Sequence, residues 1–375
     1  MEWFAGQITD PVLRLKYLKA VAPPPRTPAG LRARRALHRL WPLLLLAAAG
    51  GFFLFRTPSG FASLPTPVPR PRAASPVRVQ PLPQVWLVDK SADSETYSNG
   101  LRIDDRYAVS THPRSYLAFP ANGLGQENGV RDSVPVGIVY HTTESRQAPF
   151  AAEQNPVLKK IGESLLDYVT RKRAYNFLID RFGRIYRVVD ENDAANHAGY
   201  SVWSDGQWVY LNLNESFLGI SFEARTQPGQ LETSISPAQV RSAAMLTEML
   251  QNRYRIPAAN CVTHAQVSVN PSNRRVGYHT DWASSFPFAQ VGLPDNYQEH
   301  MAAVELFGFE SDPGFERSTG LRMSGGVEQA EEKLESEAAS FHMTVPEYRK
   351  QLQERYRKLL AIVRRQSGRE TEESE

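Results

Sequence analysis

Residues 174–190 read AYNFLIDRFGRIYRVVD. Residues 176–180 (NFLID) and 184–190 (RIYRVVD) have the composition and alternation of strands, and Arg181-Phe182-Gly183-Arg184 between them is a turn, so the stretch predicts a hairpin. Outward from it, residues 136–140 (VGIVY) and 218–222 (LGISF) are short apolar runs of the kind that form buried strands. Two helical patterns lie among them. Residues 157–170 place Leu158, Ile161, Leu165 and Val169 on one face. Ser236-Pro237 opens a second helix running to about Tyr254, with proline in its first turn. Val240, Ala244, Leu246, Met249 and Leu250 suit its buried side, and Ile256-Pro257 ends it. Strands interleaved with two main helices predict an α/β (α+β) fold, a central mixed β-sheet flanked by helices.

Three polar residues stand at or just beyond the ends of short apolar runs. Gly137-Ile138-Val139-Tyr140 leads into His141, Asn260-Cys261-Val262-Thr263 leads into His264, and Asp281 lies in Tyr278-His279-Thr280-Asp281-Trp282. Two imidazoles and one carboxylate are a ligand set for zinc that leaves a fourth position for water. Hydrolytic chemistry needs such a position. Spacing alone does not separate this trio from polar residues that are merely solvated at strand ends. Cys261, the chain's one cysteine, sits in mid-run and reads as a small core residue.

The local sequences add more. IVYHTTES around His141, AYNFLIDRFGRIYRVVD from Ala174, NHAGYS around His197, NESFLGISFEA from Asn214, VTHAQVS around His264 and YHTDWASSFPF from Tyr278 follow one another in order. The series resembles the type 2 N-acetylmuramoyl-L-alanine amidases and peptidoglycan recognition proteins, over about residues 130–295. The resemblance implies His141, His264 and Asp281 as ligands of a zinc ion in an open groove. It implies cleavage of the amide between the lactyl group of N-acetylmuramic acid and L-alanine of the stem peptide. Tyr175 falls where many relatives carry an active-site tyrosine, and His279 where many have lysine. Both are candidate catalytic groups, set against a core aromatic and a groove-lining side chain. Glu223 is a third candidate, as general base, although relatives place their carboxylate two residues earlier, where this chain has Ser221. His197, Asn196 and Trp203 are candidate substrate contacts, and Arg275, beside Arg274, is a candidate for stem-peptide carboxylates. Two features depart from the family pattern: an insertion, Asn270-Pro271-Ser272-Asn273-Arg274-Arg275, and Trp282 in place of the proline often found after the aspartate.

Composition frames these readings. The 375 residues are 41% hydrophobic and 22% charged, ordinary for a globular protein, and the net charge is +3. Residues 1–80 carry 12 Lys and Arg against 2 Asp and Glu, which leaves the remainder acidic and argues against nucleic acid as its partner. Residues 40–55 (LWPLLLLAAAGGFFLF) are free of charge and flanked by Arg39 and Arg56, with Arg32, Arg34 and Arg35 upstream. They are expected to anchor the chain in the cytoplasmic membrane, with residues 1–39 inside and the body outside, in the periplasm. A cleaved signal peptide, with Phe61-Ala62-Ser63 near the cut and a secreted product, is the rival, and the long head argues against it. Residues 57–84 are proline-rich and read as an extended spacer. Peptidoglycan, the partner implied by the resemblance, lies outside that membrane.

Residues 85–129 hold strand-like pieces to which the sequence assigns no role. Residues 296–375 read as a helical extension. Thr344-Val345-Pro346-Glu347 has capping-box spacing, and Tyr348, Leu352, Tyr356, Leu359 and Val363 form a stripe that either folds back on the body or supports self-association. Arg369 onward reads as disordered. The expected function is that of a membrane-anchored zinc amidase acting on peptidoglycan or muropeptides. The alternatives are a non-catalytic peptidoglycan-binding module, disfavoured by the presence of Asp281, and a tethered interaction protein.

Overall fold

The computed structural model describes residues 84–124, 129–227 and 229–373. The basic head, the apolar 40–56 segment and all but the last residue of the proline-rich spacer lie outside the described residues. No helix among the described residues is long and apolar enough to cross a membrane.

The strands in chain order are β1 (Leu87–Lys90), β2 (Ser94–Tyr97), β3 (Arg102–Asp104), β4 (Tyr116–Pro120), β5 (Val130–Asp132), β6 (Gly137–Thr142), β7 (Phe177–Ile179) and β8 (Ile185–Arg187). They continue with β9 (Val202–Ser204), β10 (Trp208–Leu211), β11 (Phe217–Phe222), β12 (Cys261–Thr263), β13 (Val269–Asn270) and β14 (Arg275–Val276). The main helices are α1 (Asn155–Lys172), α2 (Pro237–Tyr254), α3 (Ala302–Phe307), α4 (Ser324–Ser340) and α5 (Val345–Glu373).

Eight strands form the central sheet in the order β1-β2-β3-β8-β7-β11-β6-β12. The sheet is mixed: β7, β11, β6 and β12 run parallel, while β7–β8 is the antiparallel hairpin, pairing Phe177 with Arg187 and Ile179 with Ile185. Its turn closes on Gly183, whose φ of 80° is the left-handed region glycine enters freely. Asp180 accepts the backbone N–H groups of Phe182 and Arg184 across that turn, each at 2.9 Å.

The residues with no role in the sequence reading belong to the sheets. β3 adds to the hairpin beside β8, and β4 and β5 join β10 and β9 in a second, antiparallel sheet. Charge holds the first of these additions. Arg187 on β8 is buried and ion-paired with Glu95 on β2, with Asp105 and with Glu191.

Strand alternation divides the core between two faces. Phe177 and Ile179 of β7, Ile138 and Tyr140 of β6, and Leu218, Ile220 and Phe222 of β11 pack with Val240, Ala243, Leu246, Met249 and Leu250 of α2. Leu178 and Tyr186 face the other way, onto Leu165, Leu166 and Val169 of α1. On that second face Val139, Phe217 and Val262 pack on Tyr116, Ala118, Trp203 and Tyr210 of the smaller sheet. His141 and Ser221 follow in the same alternation, so they open toward the face between α1 and the smaller sheet.

Helix α2 begins where its cap is written. The Ser236 hydroxyl accepts the Gln239 N–H at 3.1 Å, and Gln239 reaches back to the Ser236 N–H at 3.0 Å. Ala243 is fully buried on its inner side, where the sequence reading placed Ala244. The C-terminal stripe is covered by the chain itself. Tyr356 packs edge-on against Phe307 and Phe309, and Tyr348 and Leu352 are buried with Leu334 and Ala338 of α4. The apolar stripe thus folds back on the body, the first of the two readings its pattern allowed. α5 extends to Glu373, beyond the Arg369 start of the expected disorder.

Candidate active site

Strand register brings the two histidines together. β12 runs parallel to β6 with Thr263 opposite Tyr140, so the next residues, His264 and His141, are neighbours at the carboxyl ends of adjacent strands. That end of an open α/β sheet is where ligands usually bind. The two rings lie 4.4 Å apart between centroids. A short turn, His264–Val267, follows β12 at once, and Gln266 accepts the Thr263 N–H at 2.8 Å.

The loop after β14 supplies the carboxylate. Asp281 Oδ2 is 3.2 Å from His141 Nδ1, and Asp281 Oδ1 is 2.9 Å from His264 Nδ1. One ligand atom from each of the three residues falls within 4.8 Å of the others, and all three side chains are buried. Burial, and next His264, pull His141 down to about 4, so its imidazole is neutral near pH 7. Burial pushes the Asp281 carboxyl up, but His264 and His141 outweigh this and hold it far below the usual range. Its ion-pair partners among the described residues are those two histidines. On the His141 side the buried carboxylate faces a neutral ring and not a counter-charge, and a divalent cation among the three groups supplies one. The residues therefore fit a metal.

Residues 131–281, which contain the whole trio, match the family described as N-acetylmuramoyl-L-alanine amidase. The chain carries an amidase domain of that family. Solved structures with similarity include the N-acetylmuramoyl-L-alanine amidase LysC from Clostridium intestinale, 22% identical over 49% of this chain and 93% of that one, with a TM-score of 0.27. AmiD from E. coli, solved with anhydro-N-acetylmuramic acid-L-Ala-D-gamma-Glu-L-Lys, is 21% identical over 52% of this chain and 80% of that one, with a TM-score of 0.36. Drosophila PGRP-LB is 16% identical over 44% and 85%, with a TM-score of 0.27. No curated protein matches the chain.

Around the amidase trio, the expected residues divide. Tyr175 lies on the second face, its ring centroid 5.1 Å from that of His141. Its φ of 66° places a bulky residue in left-handed backbone, a cost that recurs at functional sites. Burial raises its phenol well above the ordinary value, so it stays protonated. His279 is exposed and stacks on His264, with centroids 4.7 Å apart and planes 16° from parallel. His197 Nδ1 is 3.1 Å from His141 Nε2, so it backs a ligand from behind. Asn196 lines a cleft of about 1060 Å³ together with Tyr175, Thr143, Ser145 and the outer face of α1.

Three others are placed elsewhere. Glu223 is buried two residues beyond Ser221, and its carboxylate accepts the Arg181 N–H at 3.1 Å, so it is engaged at the β7–β8 turn. Trp203 is 5% exposed, its indole N–H donates to Asn260 Oδ1 at 2.9 Å, and it does not line the cleft at Tyr175. Arg275 pairs with Asp312 at 2.8 Å on the C-terminal side, and Arg274 donates to Gln353 of α5 at 2.9 Å. The insertion that carries these arginines thus ties the domain to its extension, through the β13–β14 hairpin.

Sequence reasoning missed three supports of the site. Asn214 Oδ1 accepts the N–H groups of His197, Ala198 and Gly199 at 2.8–2.9 Å and so shapes the NHAG loop. Gly219 leaves room for His197, since a Cβ there would stand 2.7 Å from the imidazole Cγ. Arg114 is buried behind them. Asn214 stands inside a short helical turn, Leu213–Ser216, and none of the three carries a local signal in the sequence.

Proposed function

We propose that this amidase hydrolyses the bond between the lactyl group of N-acetylmuramic acid and L-alanine of the stem peptide, in a zinc-dependent reaction. The observation that carries the reading is the convergence of His141, His264 and Asp281 within 4.8 Å at the open end of the sheet, inside the family-matched segment. A zinc ion held there would supply Lewis acidity and a hydroxide at neutral pH.

The chain's own groups have separate tasks. The Tyr175 phenol, kept protonated, donates a hydrogen bond to the oxygen of the scissile carbonyl as negative charge develops on it. His279, exposed beside His264, takes a proton and returns it to the leaving amine. The cleft leading from Tyr175 has Val157, Ile161 and Tyr168 along α1, with Arg146, Lys160 and Lys172 among its lining and no acidic side chain. Apolar walls edged by cations suit a peptide that carries carboxylates, and the stem peptide is placed here.

The site of action is part of the same reading. Residues 40–55 anchor the chain, and the proline-rich spacer carries the catalytic body to the cell wall outside the membrane. Fractionation tests this part: the full-length chain should stay in the membrane pellet after alkaline extraction, and release into the soluble fraction would contradict it.

The test of the chemistry is release of stem peptide from muropeptides by the full-length protein, with products weighed by mass spectrometry. Chelation should stop the reaction and zinc restore it. Asp281→Ala should be inactive and bind no stoichiometric zinc. An Asp281→Ala protein that still releases stem peptide would overturn the scheme.

A further inference from the structure

His141 touches four groups of different kinds. Its Nδ1 faces Asp281, its Nε2 faces His197, its ring packs near Tyr175, and its backbone carbonyl accepts from Trp282. A histidine ligand binds a metal through whichever nitrogen lacks a proton, and the hydrogen bond at the other nitrogen settles which that is.

The settling contact starts at a backbone carbonyl. His197 Nε2 is 3.2 Å from the Phe217 carbonyl oxygen. A carbonyl only accepts, so His197 Nε2 carries a hydrogen. In neutral imidazole its Nδ1 is then an acceptor, and the atom 3.1 Å away, His141 Nε2, must donate to it. His141 Nδ1 is left with its lone pair, pointing into the space shared with His264 and Asp281. Asp281 Oδ2, 3.2 Å from that lone pair, is an acceptor as well, so this arrangement of protons is the one that suits a cation between the two.

That carbonyl is itself clamped. Arg114 is 2% exposed and spends its guanidinium on backbone oxygens: Nε on Glu191 at 3.1 Å, Nη2 on Asp193 at 3.0 Å, and Nη1 on Asn214, Glu215 and Phe217 at 3.2, 2.6 and 2.9 Å. The Phe217 oxygen is thus fixed toward both Arg114 and His197. Asn214 holds the His197 backbone from the other side, and Gly219 admits the ring.

We propose that His197, directed by the Arg114-clamped carbonyl of Phe217, is a positioning residue that fixes the protonated nitrogen of His141 and presents Nδ1 to the metal. The proposal rests on the metal reading of the trio, and it deepens that reading by assigning a buried arginine and a third histidine to the orientation of a ligand. It also gives residues 85–129 a part in the site, because Arg114 comes from that segment.

The experiment uses the full-length chain with 15N-labelled histidine. In the zinc-loaded wild type, long-range 1H–15N spectra should show His141 and His197 each protonated at Nε2, with the His141 Nδ1 resonance shifted by the metal. Zinc on His141 Nε2, with the proton on Nδ1, would overturn the proposal without any variant. Zinc affinity by chelator competition is the second readout. His197→Leu, which removes the acceptor, should weaken zinc by about 10–100-fold. His197→Asn, whose Oδ1 stands close to where Nδ1 was, should recover most of that loss. Unchanged zinc affinity in folded His197→Leu would also sink the idea. A wild-type protein that binds no zinc would defeat the proposed function, while the His197 shifts would still judge whether its Nε2 donates to the Phe217 carbonyl.

Discussion

The indole Nε1–H of Trp282 donates to the backbone carbonyl of His141 at 3.0 Å. Trp282 is fully buried, follows the ligand Asp281 directly, and sits in left-handed backbone with φ 57°. The residue thus ties the loop that carries one ligand to the strand that ends in another. Proline, common at this position in the family the sequence resembles, is held near φ −65° and has no such conformation available. The departure therefore belongs to the scaffold of the site.

Trp282→Phe should keep most of the buried ring and lose the donor. Leaving the His141 carbonyl unpaired costs about 1–3 kcal/mol, to which some lost packing adds. Urea unfolding of the variant should show this drop, together with weaker zinc binding. Trp282→Pro should not yield folded protein. A Trp282→Phe chain as stable as the parent would show that the bond is not structural.

Metal-free protein should be acid-sensitive in a defined window. His141 sits at about 4 in the folded chain against an ordinary 6.5, and His197 is also lowered, by burial first and then by His141. Near pH 6.5 the unfolded chain takes up protons that the folded one refuses, so stability rises with pH across this range. It is complete above about pH 6.5 and is lost as pH falls toward about 4. Asp281, lowered in the fold, adds stability present above about pH 3.8 and lost below it. Urea midpoints of chelated protein should therefore fall between about pH 7 and about pH 5, and His141→Gln should flatten that slope. A midpoint constant over the window would contradict the buried, neutral imidazoles.

The parts of this molecule that the sequence discloses are those whose signals are local. Ser236, Pro237 and Gln239 write a helix start within four residues, and Asp180 and Gly183 write a turn. The two histidines were visible because each ends or follows a short apolar strand, and parallel register places those strand ends side by side, while Asp281 comes from the loop after β14. Glu223 and Trp203 misled because a carboxylate or an aromatic near a motif looks the same whether it bonds a turn or a substrate. Arg114 was silent for a different reason. Its partners are backbone carbonyls from residues 191 to 217, and a carbonyl has no letter in the sequence.

Arg187 gives a stability test of the segment that sequence reading left unassigned. It is buried against Glu95, Asp105 and Glu191. Burial raises the Glu95 carboxyl, but Lys90, Arg187 and Tyr97 outweigh it and hold it at about 2. Arg187→Met would leave three carboxylates without their shared cation, and losing one partner of a buried network costs about 3–5 kcal/mol. Residues 87–105 should then become accessible to limited proteolysis before the rest of the chain. Unchanged proteolysis and unfolding would mean that β1–β3 are held by apolar contacts alone.

The cleft along α1 makes a prediction about substrate and not about chemistry. Lys160 and Lys172 line it, both are exposed, and neither touches the trio. Their charge should help bind the carboxylates of the stem peptide equally in ground and transition states, which raises KM on removal and spares kcat. An exposed charge contact is worth about 0.2–1 kcal/mol, so Lys160→Glu and Lys172→Glu should each raise KM on the order of 2–5-fold at low salt. The effect should shrink as salt is added, because these charges are screened by solvent ions. A muropeptide with amidated carboxyls should lose the difference between parent and variants. If both substitutions leave KM unchanged at low salt, the stem peptide does not run along this helix.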